Sequence, residues 1–185
     1  MSKPSPEALA AEVETIREEY RRRGAAPQCR GSYSFLNPTH VHVVLERERA
    51  ILGAIARQLR VPLAQADVLD VGSSSGLSLG LLSIYGAEPS RLHGVDTDPD
   101  RIEAGGRRFP AFDLRVSDGM NLPYDDDSFD LVQQITMLSS VHSDDLRRQI
   151  AGEMLRVARP GALVLSYDAA SVGLAPRVAN RLLGL

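Results

Sequence analysis

From residue 62 onward, short apolar runs alternate with segments of helical character, and this alternation constrains the fold more than any other feature. Strands that are buried on both faces of a parallel sheet appear in a sequence as continuous apolar runs. The pattern therefore predicts an α/β fold, in which helices flank a parallel sheet and ligands bind at the carboxyl ends of the strands. The predicted strands are Asp67–Val71, Leu92–Asp96, Phe112–Val116, Phe129–Ile135 and Ala162–Tyr167, and the helices between them are Ser74–Tyr85, Asp98–Phe109 and Asp144–Ala158.

Two further helices precede this region. Apolar residues recur at spacings of three and four between Pro6 and Arg23, as on one face of a helix. A second helix is expected over Thr39–Arg60, ending before Pro62. We therefore divide the chain into an N-terminal helical cap, residues 1–61, and an α/β core over residues 62–185, where a ligand would bind.

Charge and composition exclude several classes of protein. Residues 61–185 contain 11 basic and 17 acidic residues, a net charge of −6 that disfavours a nucleic-acid partner. The single cysteine, Cys29, cannot form a disulfide within the chain, and no apolar run is long enough to span a membrane. We expect a cytoplasmic protein of 185 residues that does not associate with membranes.

The first segment with chemical character follows the first predicted strand. Glycine allows a sharp turn and a close approach of the backbone to a ligand. A dinucleotide-binding loop would have glycine at Ser74, and no lysine follows to make a phosphate-binding loop. An ordinary strand-to-helix turn without a ligand is the alternative. The candidate binding residues here are Asp70, Gly72, Ser73, Ser74 and Gly76.

Single acids follow the second and third predicted strands. Asp96 lies 24 residues after Gly72, where a carboxylate can accept hydrogen bonds from both hydroxyls of a ribose. Asp118 can accept a hydrogen bond from an exocyclic amine. A helix-start acid and an Asp-Gly turn are the respective alternatives. The run Asp125–Asp127 is interpreted as a solvated turn, so we predict no metal site.

The ordered segments VLDVGSSSG, GVDTDP, SDGMNLPYDDDSFDLV and EMLRVARPGALVL resemble the class I S-adenosylmethionine-dependent methyltransferases. The resemblance implies a Rossmann-like sheet of seven strands, the last antiparallel, and S-adenosylmethionine as cofactor. It places Gly72 and its neighbours at the methionine part of the cofactor, Asp96 at the ribose and Asp118 at the adenine amine. The remaining residues assigned to the cofactor are Tyr33, Thr97, Gly119, Met120, Gln133 and Gln134.

The segment after the predicted fifth strand departs from the family pattern. Residues 169–185 are too few for a helix and two further strands. We expect a sheet edge that is completed by a second copy or a partner chain, or a core that is cut short. An open strand edge of this kind is a site for association.

The choice of acceptor rests on residues that follow the fourth strand. His142 is the candidate general base, because a neutral imidazole can accept a proton from a hydroxyl; a surface or helix-start histidine is the alternative. The segment RGSYSFLNPTHVHVVLERERAIL resembles bacterial small-molecule and saccharide-pathway methyltransferases. We therefore expect a small-molecule acceptor, in secondary or cell-envelope metabolism. The alternatives are a non-catalytic or partner-dependent cofactor-binding domain and a nicotinamide-dependent oxidoreductase.

Overall fold

The computed structural model describes residues 6–25, 34, 36–168 and 177–180, so Tyr33 lies outside the described residues. Five helices occur in this part of the chain: α1 (Pro6–Ala25), α2 (Pro38–Gln58), α3 (Leu77–Ile84), α4 (Pro99–Arg108) and α5 (Asp144–Val157). The strands are β1 (Val68–Val71), β2 (Leu92–Asp96), β3 (Asp113–Val116), β4 (Phe129–Ile135), β5 (Ala158–Asp168) and β6 (Arg177–Asn180).

The six strands form a single sheet in the order β3-β2-β1-β4-β5-β6. The pairs among the first five strands are parallel, and β6 is antiparallel to β5. The predicted α/β architecture is confirmed, and the fold is Rossmann-like. The order reverses between β1 and β4, so the carboxyl ends of β1, β2 and β4 lie side by side at the point where such sheets bind ligands.

One predicted boundary differs from the structure by four residues. The fifth strand begins at Ala158 rather than Ala162, and the preceding helix ends at Val157. Ala158 pairs with Phe129 before a register irregularity, and regular pairing resumes between Leu131 and Leu163. Strand pairing therefore extends the element through Pro160 and Gly161, where local sequence favours a turn.

The sheet is covered on both faces by apolar side chains of the helices. On one face Ile51 and Ile55 of α2 and Leu79 of α3 pack with Val68 and other strand residues. On the other face α5 and α1 pack in the same way, with Leu146, Ile150 and Val13 among the buried residues. Helix α2, which belongs to the predicted cap, thus packs in the core that covers the sheet. The division of the chain at residue 61 stays a prediction.

Three helices begin at capping side chains that the sequence contains. The Asp98 carboxylate accepts hydrogen bonds from the backbone N–H of Asp100 and Arg101, as the Asp-Pro pair predicts. Asn37 caps α2 and Ser143 caps α5 in the same way. The caps of α4 and α5 fix the chain after it leaves the carboxyl ends of β2 and β4, beside the candidate site.

The sheet continues beyond β5 with a short antiparallel strand. Residues 177–180 pair with Leu165–Asp168. In the described part of the chain β6 is therefore the outer strand, and it covers the last four residues of β5. Completion of the sheet by a second copy or a partner chain stays a prediction. None of the described helices combines the length and apolar character that a membrane crossing requires.

Candidate functional site

The glycine loop between β1 and α3 is held in a conformation that its glycines permit. Gly72 has φ +82° and Gly76 has φ +77°, both in the left-handed region. A Cβ atom on Gly72 would lie 2.6 Å from Cγ of Met137, which is closer than carbon atoms approach. Ser74 also has a positive φ, 53°, although it carries a side chain. The loop therefore takes the glycine-type conformation even where serine replaces glycine.

Asp96 at the end of β2 fixes this loop from the neighbouring strand. Its Oδ2 accepts a hydrogen bond from the backbone N–H of Ser74 at 2.8 Å, and its Oδ1 accepts one from Asp98 at 3.0 Å. Each carboxylate oxygen has two lone-pair positions, so both oxygens can accept one further hydrogen bond. The side chain is half-buried, as is that of Thr97 beside it. This geometry suits a pair of neighbouring hydroxyl groups.

Asp118 lies next to Asp96 because their strands are tied together at their ends. The backbone N–H of Ser117 donates to the carbonyl oxygen of Asp96 at 3.0 Å. Asp118 is exposed, and its Oδ1 accepts a hydrogen bond from the N–H of Met120 at 2.9 Å. Gly119 between them is buried with φ +78°. The structure thus brings the acids after β2 and β3 to one side of the glycine loop.

Gln133 and Gln134 both lie within β4, whose bounds match the predicted strand Phe129–Ile135. The Gln134 amide donates to the side chains of Ser166 and Asp168, and its oxygen accepts from the N–H of Met137 at 2.9 Å. This side chain therefore anchors the loop after β4. The amide atoms of Gln133 are buried and make no hydrogen bond of full geometry within the described residues, although the amide is close enough to Asp70 to lower the pKa of that carboxyl group. Of the two, Gln133 is the residue with capacity to bind a ligand.

The loop after β4 contains a strained residue and a contact that the sequence analysis missed. Thr136 has φ +57°, which is rare for a residue with a β-branched side chain. Backbone strain of this kind occurs more often at functional sites than elsewhere. The next residue, Met137, packs its side chain against Gly72. A methionine in a loop carries no signal by which sequence patterns could have identified it. The contact places Met137 at the edge of the candidate site.

Three buried polar side chains at the end of β1 and β4 lack partners in the described protein. These are Asp70 through Oδ1, Ser73 through Oγ, and Gln133 through both amide atoms. Burial raises the pKa of Asp70 to about 7, while the Gln133 amide and the Arg47 guanidinium lower it and the charges of Asp96 and Glu48 raise it further. Buried polar groups are normally paired, so unpaired groups indicate a ligand that supplies the hydrogen bonds. Their chemistry fits the amino-acid end of S-adenosylmethionine.

Helix α1 crosses over this edge of the sheet. The Tyr20 hydroxyl is 2.5 Å from Oγ of Ser140, which follows β4, and the Arg101 guanidinium carbon is 5.0 Å from the centre of the Tyr20 ring. Arg101 belongs to α4, which follows β2. Since the exits of β4 and β2 flank that of β1, a helix that touches both lies over the glycine loop.

The candidate base His142 lies where α1 meets the start of α5. Glu12 of α1 accepts hydrogen bonds through Oε1 from the N–H of His142 at 2.9 Å and of Ser143 at 2.7 Å. The residue is exposed, at the carboxyl side of the sheet. The backbone of His142 is thus fixed, and the structure does not pair its ring with a described residue of the glycine loop.

A cavity lies at the opposite, amino edge of the sheet. It has a volume of about 590 Å³ and is lined by His93, Arg115 and Tyr124 among others. Asp113 pairs with His93 at 3.1 Å and with Arg115 at 2.7 Å, so the charged groups of this cavity already have partners. Parallel sheets bind ligands at their carboxyl edge. We therefore locate the site by its residues and not by cavity size.

The acidic run Asp125–Asp127 forms a turn near this cavity. Asp126 pairs with Nη1 of Arg156 at 2.7 Å. In the part of the chain that the structure describes, no cluster of three or more His, Cys, Asp or Glu side chains could hold a metal ion.

The reversal of strand order, the glycine loop and the acids after β2 and β3 are features of Rossmann-like domains that bind nucleoside-containing cofactors. A family model described as a methyltransferase domain matches residues 69–166. The chain therefore belongs to the class I S-adenosylmethionine-dependent methyltransferases. The resemblance found in the sequence is confirmed.

Individual relatives agree with this family. An uncharacterized methyltransferase of Mycobacterium tuberculosis is 41% identical over 106 residues, which are 54% of this chain and 38% of that protein. The chain thus spans less than half the length of such curated relatives.

Solved structures show the same fold at lower identity. Haemonchus contortus phosphoethanolamine N-methyltransferase 1, in complex with phosphoethanolamine and S-adenosylhomocysteine, has a TM-score of 0.65 at 20% identity and covers 91% of this chain and 34% of that one. A TehB-like SAM-dependent methyltransferase from Corynebacterium glutamicum has a TM-score of 0.53 at 24% identity. The superposition covers 75% of this chain and 78% of that one. Identities this low support the fold alone.

Proposed function

We propose that this chain binds S-adenosylmethionine at the carboxyl edge of its sheet and transfers the methyl group to a small molecule. The observation that carries the proposal is the arrangement around Asp96, which holds the glycine loop and keeps one acceptor position on each oxygen. The unpaired polar atoms of Asp70, Ser73 and Gln133 lie at the adjoining strand ends. Both features suit the two ends of one cofactor.

Each part of the cofactor has residues suited to it. Asp96, with Thr97 beside it, would bind the ribose hydroxyls, and Asp118 the adenine amine, with Gly119 and Met120 against the ring. Asp70, Gly72, Ser73 and Gln133 would hold the methionine end. When bound, the cofactor supplies a methyl group on a sulfonium, which is already a good leaving group. The protein then has to position the acceptor and exclude water.

A small acceptor is favoured over a nucleic acid by charge and by the position of α1. The core region has a net charge of −6, which opposes a polyanion. Tyr20 links α1 to both sides of the cleft and restricts the space above the glycine loop. We extend the proposal to an acceptor of bacterial secondary or cell-envelope metabolism, and to a cytoplasmic site of action.

His142 is proposed as the general base for acceptors that lose a proton. It is exposed at the side of the sheet where the cofactor would bind, on a backbone fixed by Glu12. We expect His142→Ala to lower kcat by about 10²–10⁴-fold and to leave cofactor affinity unchanged. The loss should shrink at high pH, where the acceptor ionises without help.

The experiment follows tritium from labelled S-adenosylmethionine into the small-molecule fraction of a bacterial extract, and then into the purified acceptor. His93→Gln at the amino edge is the matched control and should keep the wild-type rate. If His142→Ala keeps most of its rate at every pH, His142 is not the base and catalysis proceeds by positioning alone. If S-adenosylhomocysteine binds but no fraction is labelled, the chain is a cofactor-binding domain that is non-catalytic or needs a partner.

A further inference from the structure

A buried polar cluster lies between α2 and the sheet, at the candidate site. Asp70 and Gln133 are register partners on β1 and β4, and they are 2% and 1% exposed. They follow Val68 and Leu131 by two residues, and those side chains pack in the core that α2 covers. Since alternate strand residues share a face, Asp70 and Gln133 face α2.

The residues of α2 opposite this pair are Arg47 and Glu48. Glu48 is buried on the same side of α2 as Val44, Ile51 and Ile55, at spacings of three and four residues, and Ile51 and Ile55 belong to the core cluster that contains Val68. The charges of Arg47 and Glu48 both act on Asp70, so the two side chains lie close to it. Glu48 is 7% exposed, so its charge is buried as well.

Glu48 holds the Arg47 side chain in place. Its Oε1 accepts a hydrogen bond from Nε of Arg47 at 3.0 Å and lies 2.9 Å from Nη2 in an ion pair, and the Arg47 side chain is 18% exposed. The charges that act on Asp70 are Arg47 and Glu48 from α2 and Asp96 from β2, with the neutral amide of Gln133 from β4. Burial raises the pKa of Asp70, and of these charges only that of Arg47 lowers it.

We propose that Arg47, held by Glu48, is a positioning residue that favours the ionised form of Asp70 at the methionine end of the cofactor. Arg47 acts through Asp70. The inference rests on the proposed function, since it assigns a role in binding that cofactor. Without the guanidinium, a larger fraction of the molecules would hold a proton on Asp70 at neutral pH and would present a neutral carboxyl group to the ligand.

The test is the pH dependence of S-adenosylhomocysteine binding, measured by calorimetry between about pH 5.5 and 8. Only the ionised form of Asp70 binds well in this account, so wild-type affinity should rise with pH up to about 7. In Arg47→Gln the midpoint should move up by about 1 pH unit, which weakens binding about fivefold at pH 7 and about tenfold below about pH 6. Arg49→Gln is the matched control, because Arg49 lies on the same helix with 83% of its side chain exposed. This control should match the wild type at every pH.

Asp70→Asn identifies the group that titrates. It should weaken binding and remove the pH dependence, and Arg47→Gln should then add no further shift. An equal loss of affinity at every pH in Arg47→Gln would show a purely structural role and overturn the proposal. So would a pH dependence that persists in Asp70→Asn. If the wild type binds no S-adenosylhomocysteine at any pH, the proposed function itself fails.

A second readout does not require the ligand. A carboxyl group whose pKa is raised by folding contributes stability that is lost as pH rises from its unfolded value to its folded one. For Asp70 this window runs from about pH 4 to 7. We therefore expect the melting temperature of Arg47→Gln to go on falling above pH 7, and Asp70→Asn to lack the decline. Parallel melting curves for wild type and Arg47→Gln would contradict the coupling.

Discussion

The two edges of the sheet differ in whether their polar side chains have partners within the described protein. At the amino edge, Asp67 pairs with Arg91 at 2.7 Å and with Arg159 at 2.9 Å, and Arg159 also pairs with Asp130. At the carboxyl edge, Asp70 and Gln133 are more deeply buried, yet keep polar atoms without a partner in the described protein. The Tyr124 hydroxyl is an exception to this contrast, because it is buried and unpaired near the amino edge.

The contrast shows which edge is built for stability and which for a ligand. Paired charges at a surface contribute modestly and need nothing from outside the chain. Unpaired buried groups cost about 1–3 kcal/mol each, a cost that a bound ligand can offset. The carboxyl edge, where buried polar groups lack partners, is therefore the better candidate for function, although a cavity of about 590 Å³ lies at the amino edge.

Removing one aspartate from each edge should give the largest difference in ligand binding between the two edges. Asp96→Ala should weaken S-adenosylhomocysteine binding by about a hundredfold or more, near 3 kcal/mol, because two charge-assisted hydrogen bonds are lost. Asp67→Ala should leave the affinity within about twofold and lower the unfolding free energy by about 1 kcal/mol. Calorimetry and urea melts measure the two effects. A loss of less than about threefold in a folded Asp96→Ala would remove Asp96 from the ribose site.

Glycines with positive φ at the two edges allow a matched comparison of stability. Gly72→Ala adds a Cβ within 2.6 Å of Met137, whereas Gly86→Ala, at φ +106°, has no neighbour within 4 Å. Each substitution should lower the free energy of unfolding by about 1 kcal/mol, because alanine disfavours the left-handed conformation. Gly72→Ala should lower it by about 1–2 kcal/mol more, because the added Cβ overpacks the site. Urea denaturation gives both values. If both variants lose the same unfolding free energy, the Met137 side chain moves aside without cost. The double variant Gly72→Ala/Met137→Ala should recover part of the difference.

The smallest effect is expected at the serine that replaces a glycine. Ser74→Gly should stabilise the protein by about 0.5–1 kcal/mol, since Ser74 has φ 53° and glycine adopts this conformation without a Cβ clash. Ser75→Gly, next in the chain, should destabilise by a similar amount, because it adds backbone freedom and relieves no strain. Thermal melts of the two variants measure the sign. If Ser74→Gly is the less stable of the pair, the serine conformation is not strained.

The parts that sequence predicted correctly are those set by local pattern. Apolar runs located the parallel strands, and Asp98 followed by Pro99 located the start of α4, because capping acts within a few residues. The structure places Asp96 at the end of β2 and Asp118 after β3, as the strand pattern predicted, and the roles assigned to them stay predictions. The boundary at Ala158 was wrong because pairing with Phe129 overrides the local turn signal.

The remainder depends on contacts between distant residues. Met137 against Gly72 and Glu12 beneath His142 join segments that are 65 and 130 residues apart. The hydrophobic periodicity of a short segment contains no information about contacts with such distant residues. Gln133 and Gln134 looked equivalent in the sequence, yet the alternation of side chains along β4 sends one toward α2 and the other toward Asp168.

The central claim is that the carboxyl edge binds the nucleoside cofactor of a methyltransferase, and calorimetric titration with S-adenosylhomocysteine tests it most directly. The account predicts one site per chain with a dissociation constant in the micromolar range, about −7 to −8 kcal/mol. NADH titrated under the same conditions should not bind. A folded wild-type protein that shows no heat of binding up to about 1 mM S-adenosylhomocysteine, or that binds NADH with micromolar affinity instead, would contradict the account.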